Sequence, residues 1–188
     1  MFYKFKIFLI VIFFSPIVYS QDINEWFIQE SQGFLELMKN ENNNTTRFGL
    51  YLDFVKKNFA IKSIAYGLLN EKVINSNDDE KLNLYVQVFE NYLTNTIYNL
   101  SDPDYNGEIQ LIGIESKDSI YIIDSEIVDK DSRVKLYWKV ATLNDSFKIL
   151  DVIVENTSYF VTKKSEFSKI LRKNKNNLDL LILEIETK

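Results

Sequence analysis

The chain has 188 residues, a length typical of one domain, and its hydrophobic content of 46% suffices for a folded core. Its net charge of −5 at pH 7 argues against nucleic-acid binding, because proteins that bind nucleic acids present basic surfaces to phosphate. The chain contains no His and no Cys. Zinc sites built on imidazole or thiolate, thiol nucleophiles and Ser-His-Asp triads are therefore excluded, and we expect no metal and no cofactor.

The N-terminal segment has the pattern of a secretory signal peptide. Two lysines precede an apolar run at residues 7–14, Pro16 interrupts the run, and residues 18–20 suit a signal peptidase. A membrane anchor is the alternative, but spanning a bilayer takes about 20 apolar residues and this run is shorter. We expect residues 1–20 to be cleaved and residues 21–188 to form one secreted domain.

The first half of that domain has helical periodicity. Apolar residues recur every three or four positions between Asp22 and Lys39, and again from Phe48 to Phe59. Residues 61–69 predict a shorter third helix. A fourth and longer helix is predicted from the polar residues 76–80, which can cap its start, to Leu100, because Ser101-Asp102-Pro103 ends the pattern.

The second half changes to the pattern of β-strands. Four runs of β-branched and aromatic residues are separated by short polar turns, at residues 109–114, 120–128, 134–141 and 147–155. Spacings this short make hairpins, so we predict an antiparallel meander. After Asn156 the helical period returns. The sequence therefore predicts an α+β fold, with a four-stranded meander between N-terminal and C-terminal helices.

The last predicted strand is apolar on both faces. Strict alternation places Ile149 and Ile153 on one face, and Leu150, Val152 and Val154 on the other. A strand of this kind must be covered on both sides. It is either a central strand packed under helices or a strand with one side facing an internal apolar cavity, and the sequence leaves both interpretations open.

Three blocks of residues resemble one family. Residues 85–93, Tyr-Val-Gln-Val-Phe-Glu-Asn-Tyr-Leu, resemble the signature helix of the MlaC family. Residues 147–155 followed by Ser158 resemble that family's tryptophan-lysine, aspartate-valine, glutamate-glycine-valine-serine strand, and residues 165–171 are similar to the helix that follows. Over residues 22–186 the chain therefore resembles the MlaC-type periplasmic phospholipid-binding proteins, a family connected with toluene tolerance.

The chain departs from the family pattern at several positions. Asn156 and Asn70 stand where the family has glycine, and Asn is the non-glycine residue best suited to left-handed backbone. Phe147 replaces a tryptophan and keeps an aromatic plug. Lys163 and Lys164 replace a Tyr-Arg pair, which keeps positive charge and loses the planar guanidinium.

The resemblance implies a fold and a function. It implies an NTF2- or cystatin-like arrangement enclosing an apolar lipid cavity, in a monomeric periplasmic carrier without enzymatic activity. Its cargo would be phospholipid, carried between an inner-membrane ABC transporter with an MCE-domain ring and an outer-membrane lipoprotein–porin complex. Such transport maintains the lipid asymmetry of the outer membrane.

Candidate site residues follow from the matched blocks. Apolar residues of these blocks are predicted to form the wall of the lipid cavity: Leu68, Leu69, Phe89, Tyr92, Leu93, Val152, Val154, Tyr159, Phe160 and Phe167. Lys163 and Lys164 are predicted to be exposed at the cavity rim, where they would meet lipid phosphate or an acidic partner. A solvated helix face is the alternative interpretation of the two lysines.

Two other functional classes compete with the carrier. An enzyme could use a pair of carboxylates, as glycosidases do, but Asp151 and Glu155 are more simply explained as residues at a strand end and a turn. A protein-binding module with an ordinary filled core is the second competitor. Lipid that co-purifies with the protein would distinguish a carrier from either.

Overall fold

The computed structural model describes residues 22–39, 44–130 and 132–187, so the predicted signal peptide lies outside the described residues. Seven helices form within these ranges: α1 (Ile23–Met38), α2 (Asn44–Asn58), α3 (Ile61–Leu68), α4 (Glu71–Asn75), α5 (Asp79–Leu100), α6 (Tyr159–Lys173) and α7 (Leu178–Glu186). Five strands lie between α5 and α6: β1 (Glu108–Lys117), β2 (Ile120–Asp129), β3 (Ser132–Leu143), β4 (Ser146–Val154) and β5 (Thr157–Ser158).

The strands form one antiparallel sheet in the order β1-β2-β3-β4-β5. The predicted α+β fold, with its order of helices, meander and helices, is confirmed. Two short elements differ from the prediction, the two-residue strand β5 and the five-residue helix α4. Both are too short to produce a periodic pattern in the sequence.

Three of the hairpin turns have two residues and contain no glycine. Asp118-Ser119, Asn144-Asp145 and Glu155-Asn156 all have positive φ, from 46° to 67°, as the tight turn between antiparallel strands requires. Asn and Asp tolerate this conformation better than other non-glycine residues. Asn156 therefore adopts the left-handed backbone expected from the glycine that it replaces.

The same expectation is wrong for Asn70. Its φ of −91° and ψ of 158° are extended, and its side chain accepts a hydrogen bond of 3.0 Å from the Val73 N–H. The Asn70 side chain therefore caps the N-terminus of α4, and a glycine at this position would have no side chain to do so.

A β-bulge in β4 changes which residues share a face. Two consecutive residues of β3 pair with Asp151 and Ile149, so Leu150 is an extra residue in the ladder. Because the alternation reverses at the bulge, Ile149 lies on the same face as Val152 and Val154. The predicted assignment of Ile149 to the opposite face is wrong for this reason.

The junction between β4 and α6 is fixed by one carboxylate. Asp151 accepts a hydrogen bond of 2.6 Å from the Ser158 hydroxyl and another of 2.9 Å from the Phe160 N–H. Ser158 in turn caps α6 by accepting from the Val161 N–H at 2.9 Å. Both oxygens of Asp151 are therefore used to set where α6 begins.

Helix α5 has a filled core on one side. Its N-terminal part packs with α3, α6 and α7, and buried Phe89 contacts the ring of Phe167 at 6.4 Å. The Tyr85 hydroxyl donates to the Ala65 carbonyl at 3.1 Å, and burial raises the pKa of Tyr85. This packing holds α5 independently of the sheet.

We predict that Asp151→Ala lowers the free energy of unfolding by about 2–3 kcal/mol, because it removes a charged acceptor from two hydrogen bonds. Asp53→Ala is the matched control, since Asp53 is exposed on α2 and the change should stay within about 0.5 kcal/mol. Urea unfolding followed by circular dichroism measures both. Equal stability of the two variants would show that Asp151 does not hold the junction.

Candidate functional site

An apolar cavity of about 370 Å³ lies between the sheet and helices α1, α2 and α5, and Tyr159 at the start of α6 also lines it. Among the helices, α1 contributes the most lining residues: Trp26, Phe27, Glu30, Ser31, Phe34, Leu35 and Met38. These residues follow the helical spacing seen in the sequence, so α1 presents one face to the cavity. The volume lies within the range of roughly 300–1,000 Å³ typical of ligand pockets.

The sheet forms the opposite wall through one face of four strands. Its lining residues are Ile109, Ile127, Trp138, Val140, Ile149, Val152 and Val154. The bulge at Leu150 makes this wall continuous, because it brings Ile149 to the face that carries Val152 and Val154. Of the two interpretations of the doubly apolar strand, the structure therefore supports the cavity.

Aromatic contacts close the inner end of the cavity. Trp26 contacts the ring of Phe147 at 5.6 Å, and Phe27 contacts Trp138 at 5.8 Å. Phe147 also contacts Tyr121 at 5.5 Å, edge to face. Phe147 thus has the packed aromatic position that was expected from the tryptophan it replaces.

The cavity reaches the surface at the C-terminal end of α5. Leu100 and Val154 both line the cavity, although 79% and 41% of their surfaces remain exposed. Tyr105 lies in the following loop, and burial, with added effects of Asp129 and Glu108, raises its pKa. We call this region the mouth and define it by Leu100, Asp102, Tyr105 and Val154.

Glu30 is the charged residue that α1 contributes to the cavity wall, and Lys57 on α2 neutralises its charge. Its carboxylate pairs with the Lys57 ammonium at 2.6 Å and accepts from the Asn58 amide at 2.9 Å. Asn58 is fully buried, and the Glu30 side chain is 11% exposed. A paired carboxylate of this kind adds little polarity to the cavity, so the wall remains apolar in character.

Four of the ten predicted wall residues line the cavity: Leu93, Val152, Val154 and Tyr159. The other six do not line it. Leu68, Leu69, Phe89, Tyr92 and Phe167 are buried in the core beside α5, because the matched blocks include the residues that hold α5 against α3 and α6. Phe160 packs on α3, where its ring stands 3.0 Å from the position of a Cβ at Gly67.

The two lysines differ from each other. The Lys163 side chain is only 18% exposed, so its predicted exposure is wrong; it pairs with Glu166 at 2.9 Å and lies over the rings of Tyr92 and Tyr159. Burial opposes its charge, yet interactions with Tyr92 and Glu166 outweigh burial and raise the pKa of Lys163. Lys164 is exposed, with its ammonium 5.7 Å from the Phe160 ring.

Sequence reasoning missed the role of α1 and of the aromatic residues at positions 26, 27 and 138. The amphipathic stripe of α1 was visible, but periodicity cannot distinguish a face that covers a cavity from one that covers a filled core. The informative signal was composition, because the stripe carries three large aromatic rings, Trp26, Phe27 and Phe34.

The arrangement can enclose an apolar ligand. Within residues 22–39, 44–130 and 132–187, no three His, Cys, Asp or Glu side chains are grouped so as to hold a metal ion. Among the described helices, none has both the length and the hydrophobicity needed to cross a bilayer. The fold and the cavity define a domain of the class that can bind apolar molecules between its helices and one face of its sheet.

Comparison with known proteins agrees with this class. The profile of the family described as MlaC protein matches residues 29–187, and the chain belongs to that family. None of the curated protein sequences matches the chain. Among solved structures, it is similar to a phospholipid-binding protein from Ralstonia solanacearum in complex with a phospholipid, with a TM-score of 0.69 and 12% identity over 87% of this chain and 93% of that chain.

Both tryptophans of the chain line the cavity, so we expect a bromine-labelled ligand in the cavity to quench most of the tryptophan fluorescence. The measurement is titration with a long-chain fatty acid brominated on its acyl chain, since bromine quenches on contact. Trp26→Phe and Trp138→Phe should each leave one quenchable tryptophan. Bound fatty acid with unchanged emission would place the ligand outside this cavity.

Proposed function

We propose that this protein is a periplasmic phospholipid carrier that holds acyl chains in the cavity between α1, α5 and the sheet. The observation that carries the proposal is the wall itself, which is predominantly apolar and includes Trp26, Phe34 and Val152. Membership of the MlaC family and the fold shared with a phospholipid-binding protein support it.

The energetics of transfer favour such a wall. Removing hydrocarbon from water is worth about 0.8 kcal/mol per CH₂, so a lipid leaves a bilayer only for a host of similar apolarity. The same host must release the lipid later, which argues against strong polar contacts along the acyl chains. The wall meets both requirements, because its inner carboxylate, Glu30, is paired with Lys57 and its other carboxylate, Asp102, lies at the mouth.

The cavity also argues for an occupant. A large apolar space costs stability, because water finds few polar partners on its walls and the lining side chains lack packing contacts on one side. Acyl chains that fill the space would offset this cost, and the mouth gives them access.

We also infer the cellular location of the protein and the complexes with which it exchanges lipid. The N-terminal segment has the pattern of a signal peptide, which supports secretion to the periplasm. There the carrier would exchange lipid, as a monomer, between an inner-membrane MCE-domain ABC transporter complex and an outer-membrane lipoprotein–porin complex. Transport in this system would serve the lipid asymmetry of the outer membrane.

The two competing functions have less support. Asp151, the better candidate for a catalytic carboxylate, has both oxygens engaged by Ser158 and Phe160. Glu155 lies in a turn at a φ of 46° and does not line the cavity. A protein-binding module with a filled core would lack the space that this structure contains.

We expect protein purified from cells to carry diacyl phospholipid, and Val152→Glu to lose most of it, because a buried carboxylate in the apolar wall disfavours acyl chains. Val161→Glu is the matched control, since Val161 is 64% exposed and does not line the cavity. Lipid extraction with mass spectrometry gives the amount per protein, and circular dichroism checks folding.

The proposal fails if wild-type protein yields no phospholipid at a detection limit far below one molecule per chain. It also fails in its structural part if folded Val152→Glu and Val161→Glu retain the same amount, because the acyl chains would then lie elsewhere.

Lys164 tests the predicted rim function. We expect Lys164→Gln to slow phospholipid transfer from anionic vesicles about twofold at low salt and to have no effect at high salt, since screening removes the contribution of an exposed charge. Lys169→Gln, another exposed lysine of α6, is the control. Equal transfer rates for both variants and the wild type at low salt would assign Lys164 to a solvated helix face.

A further inference from the structure

The polar side chains that line the cavity are almost all satisfied within the protein. The Trp138 indole N–H donates to the Ser125 hydroxyl at 2.8 Å, and the Tyr105 hydroxyl donates to the Val128 carbonyl at 3.4 Å. The Thr96 hydroxyl donates to the Tyr92 carbonyl at 2.9 Å. Glu30 is paired as described above. Polar atoms with internal partners do not select a ligand.

Tyr159 is the exception among the described lining residues. Its hydroxyl oxygen is buried and forms no hydrogen bond of normal length and angle. The neighbouring Thr96 hydroxyl is directed at the Tyr92 carbonyl, to which it donates at 2.9 Å, and its oxygen makes no hydrogen bond of normal length and angle with the Tyr159 hydroxyl. A buried hydroxyl without a partner destabilises the protein, which makes a partner supplied by a ligand favourable.

The position of Tyr159 is fixed from two sides. It is the first residue of α6, directly after the Ser158 cap that Asp151 holds. The Lys163 ammonium lies 5.6 Å from its ring centre and is paired with Glu166, so Lys163 does not need the ligand as a partner. Burial raises the pKa of Tyr159 to about 12, and the phenol therefore stays protonated and can donate at neutral pH.

We propose that the Tyr159 hydroxyl donates a hydrogen bond to an acyl-ester carbonyl of the bound phospholipid and so fixes how deep the lipid sits. This inference rests on the proposed function. An ester carbonyl is a neutral acceptor at the top of the acyl chains, which suits one neutral donor in an apolar wall. A phosphate would lose its hydration for a single hydrogen bond, and burying such a charge is far more costly.

The experiment compares ester and ether lipids that share chain length and headgroup. Delipidated protein is incubated with vesicles containing equal amounts of diacyl and dialkyl phosphatidylglycerol, and bound lipid is measured by mass spectrometry. We expect the wild type to prefer the diacyl form about 3- to 10-fold more than Tyr159→Phe does, the effect of one hydrogen bond. Tyr137→Phe is the matched control, because Tyr137 is next to Trp138 on β3, on the opposite face of the strand, and does not line the cavity.

A second pair of ligands separates the two possible acceptors. Diacylglycerol and its dialkyl analogue lack phosphate, and we expect the same ester preference, again reduced in Tyr159→Phe. A preference seen only with phosphate-bearing lipids would overturn the assignment to the ester, as would equal ester-to-ether ratios in wild type and Tyr159→Phe. If the wild type binds neither phospholipid, the proposed function itself is wrong.

Discussion

An internal cavity stays open only if the elements that line it are also packed into a filled core. In this chain α5 (Asp79–Leu100) is such an element. Its N-terminal part is packed against α3, α6 and α7 through buried aromatic residues such as Tyr85 and Phe89. Its C-terminal part lines the cavity through Leu93, Ile97 and Leu100. Because one rigid helix belongs to both regions, collapse of the cavity would have to disrupt a filled core. Packing of α5 in the filled core thus offsets the loss of stability that the cavity causes.

The two ends of the cavity wall differ in chemistry. At one end, aromatic rings from α1 and the sheet pack against each other and close the space. At the other, the Asp151 carboxylate fixes the start of α6 and so brings Tyr159 to the wall. An apolar interior makes the binding of an apolar ligand strong, and a single polar contact can orient a ligand without retaining it.

Much of the fold could be predicted from the sequence, because its signals are local. The long apolar stripe of α5 and the polar turns between strands determined the order of elements, and Asn156 adopts the backbone that its residue type suggested. The bulge at Leu150 could not be predicted, since strict alternation is the only period that a short apolar run shows. The bulge decides that Ile149 belongs to the cavity wall.

The candidate site was predicted less well than the fold. Leu93, Val152, Val154 and Tyr159 line the cavity, whereas residues such as Phe89 and Phe167 fill the core behind it. Sequence blocks that mark a family mix residues that bind with residues that hold a helix in place, and hydrophobicity does not distinguish them. Lys163 shows the same limit for charge, because only the fold shows that it pairs with Glu166 and lies largely covered.

The outermost strand of the sheet has a feature that bears on solubility. In β1 the pairing with β2 skips Ile112, which is 55% exposed, so this edge carries a bulge of its own. A regular edge strand offers an unbroken row of backbone donors and acceptors to any second chain, and a bulge breaks that row. A protein with a large apolar cavity that opens at its surface is at risk of associating with its own copies. The irregular edge lowers that risk along β1, where strand-to-strand association could otherwise begin.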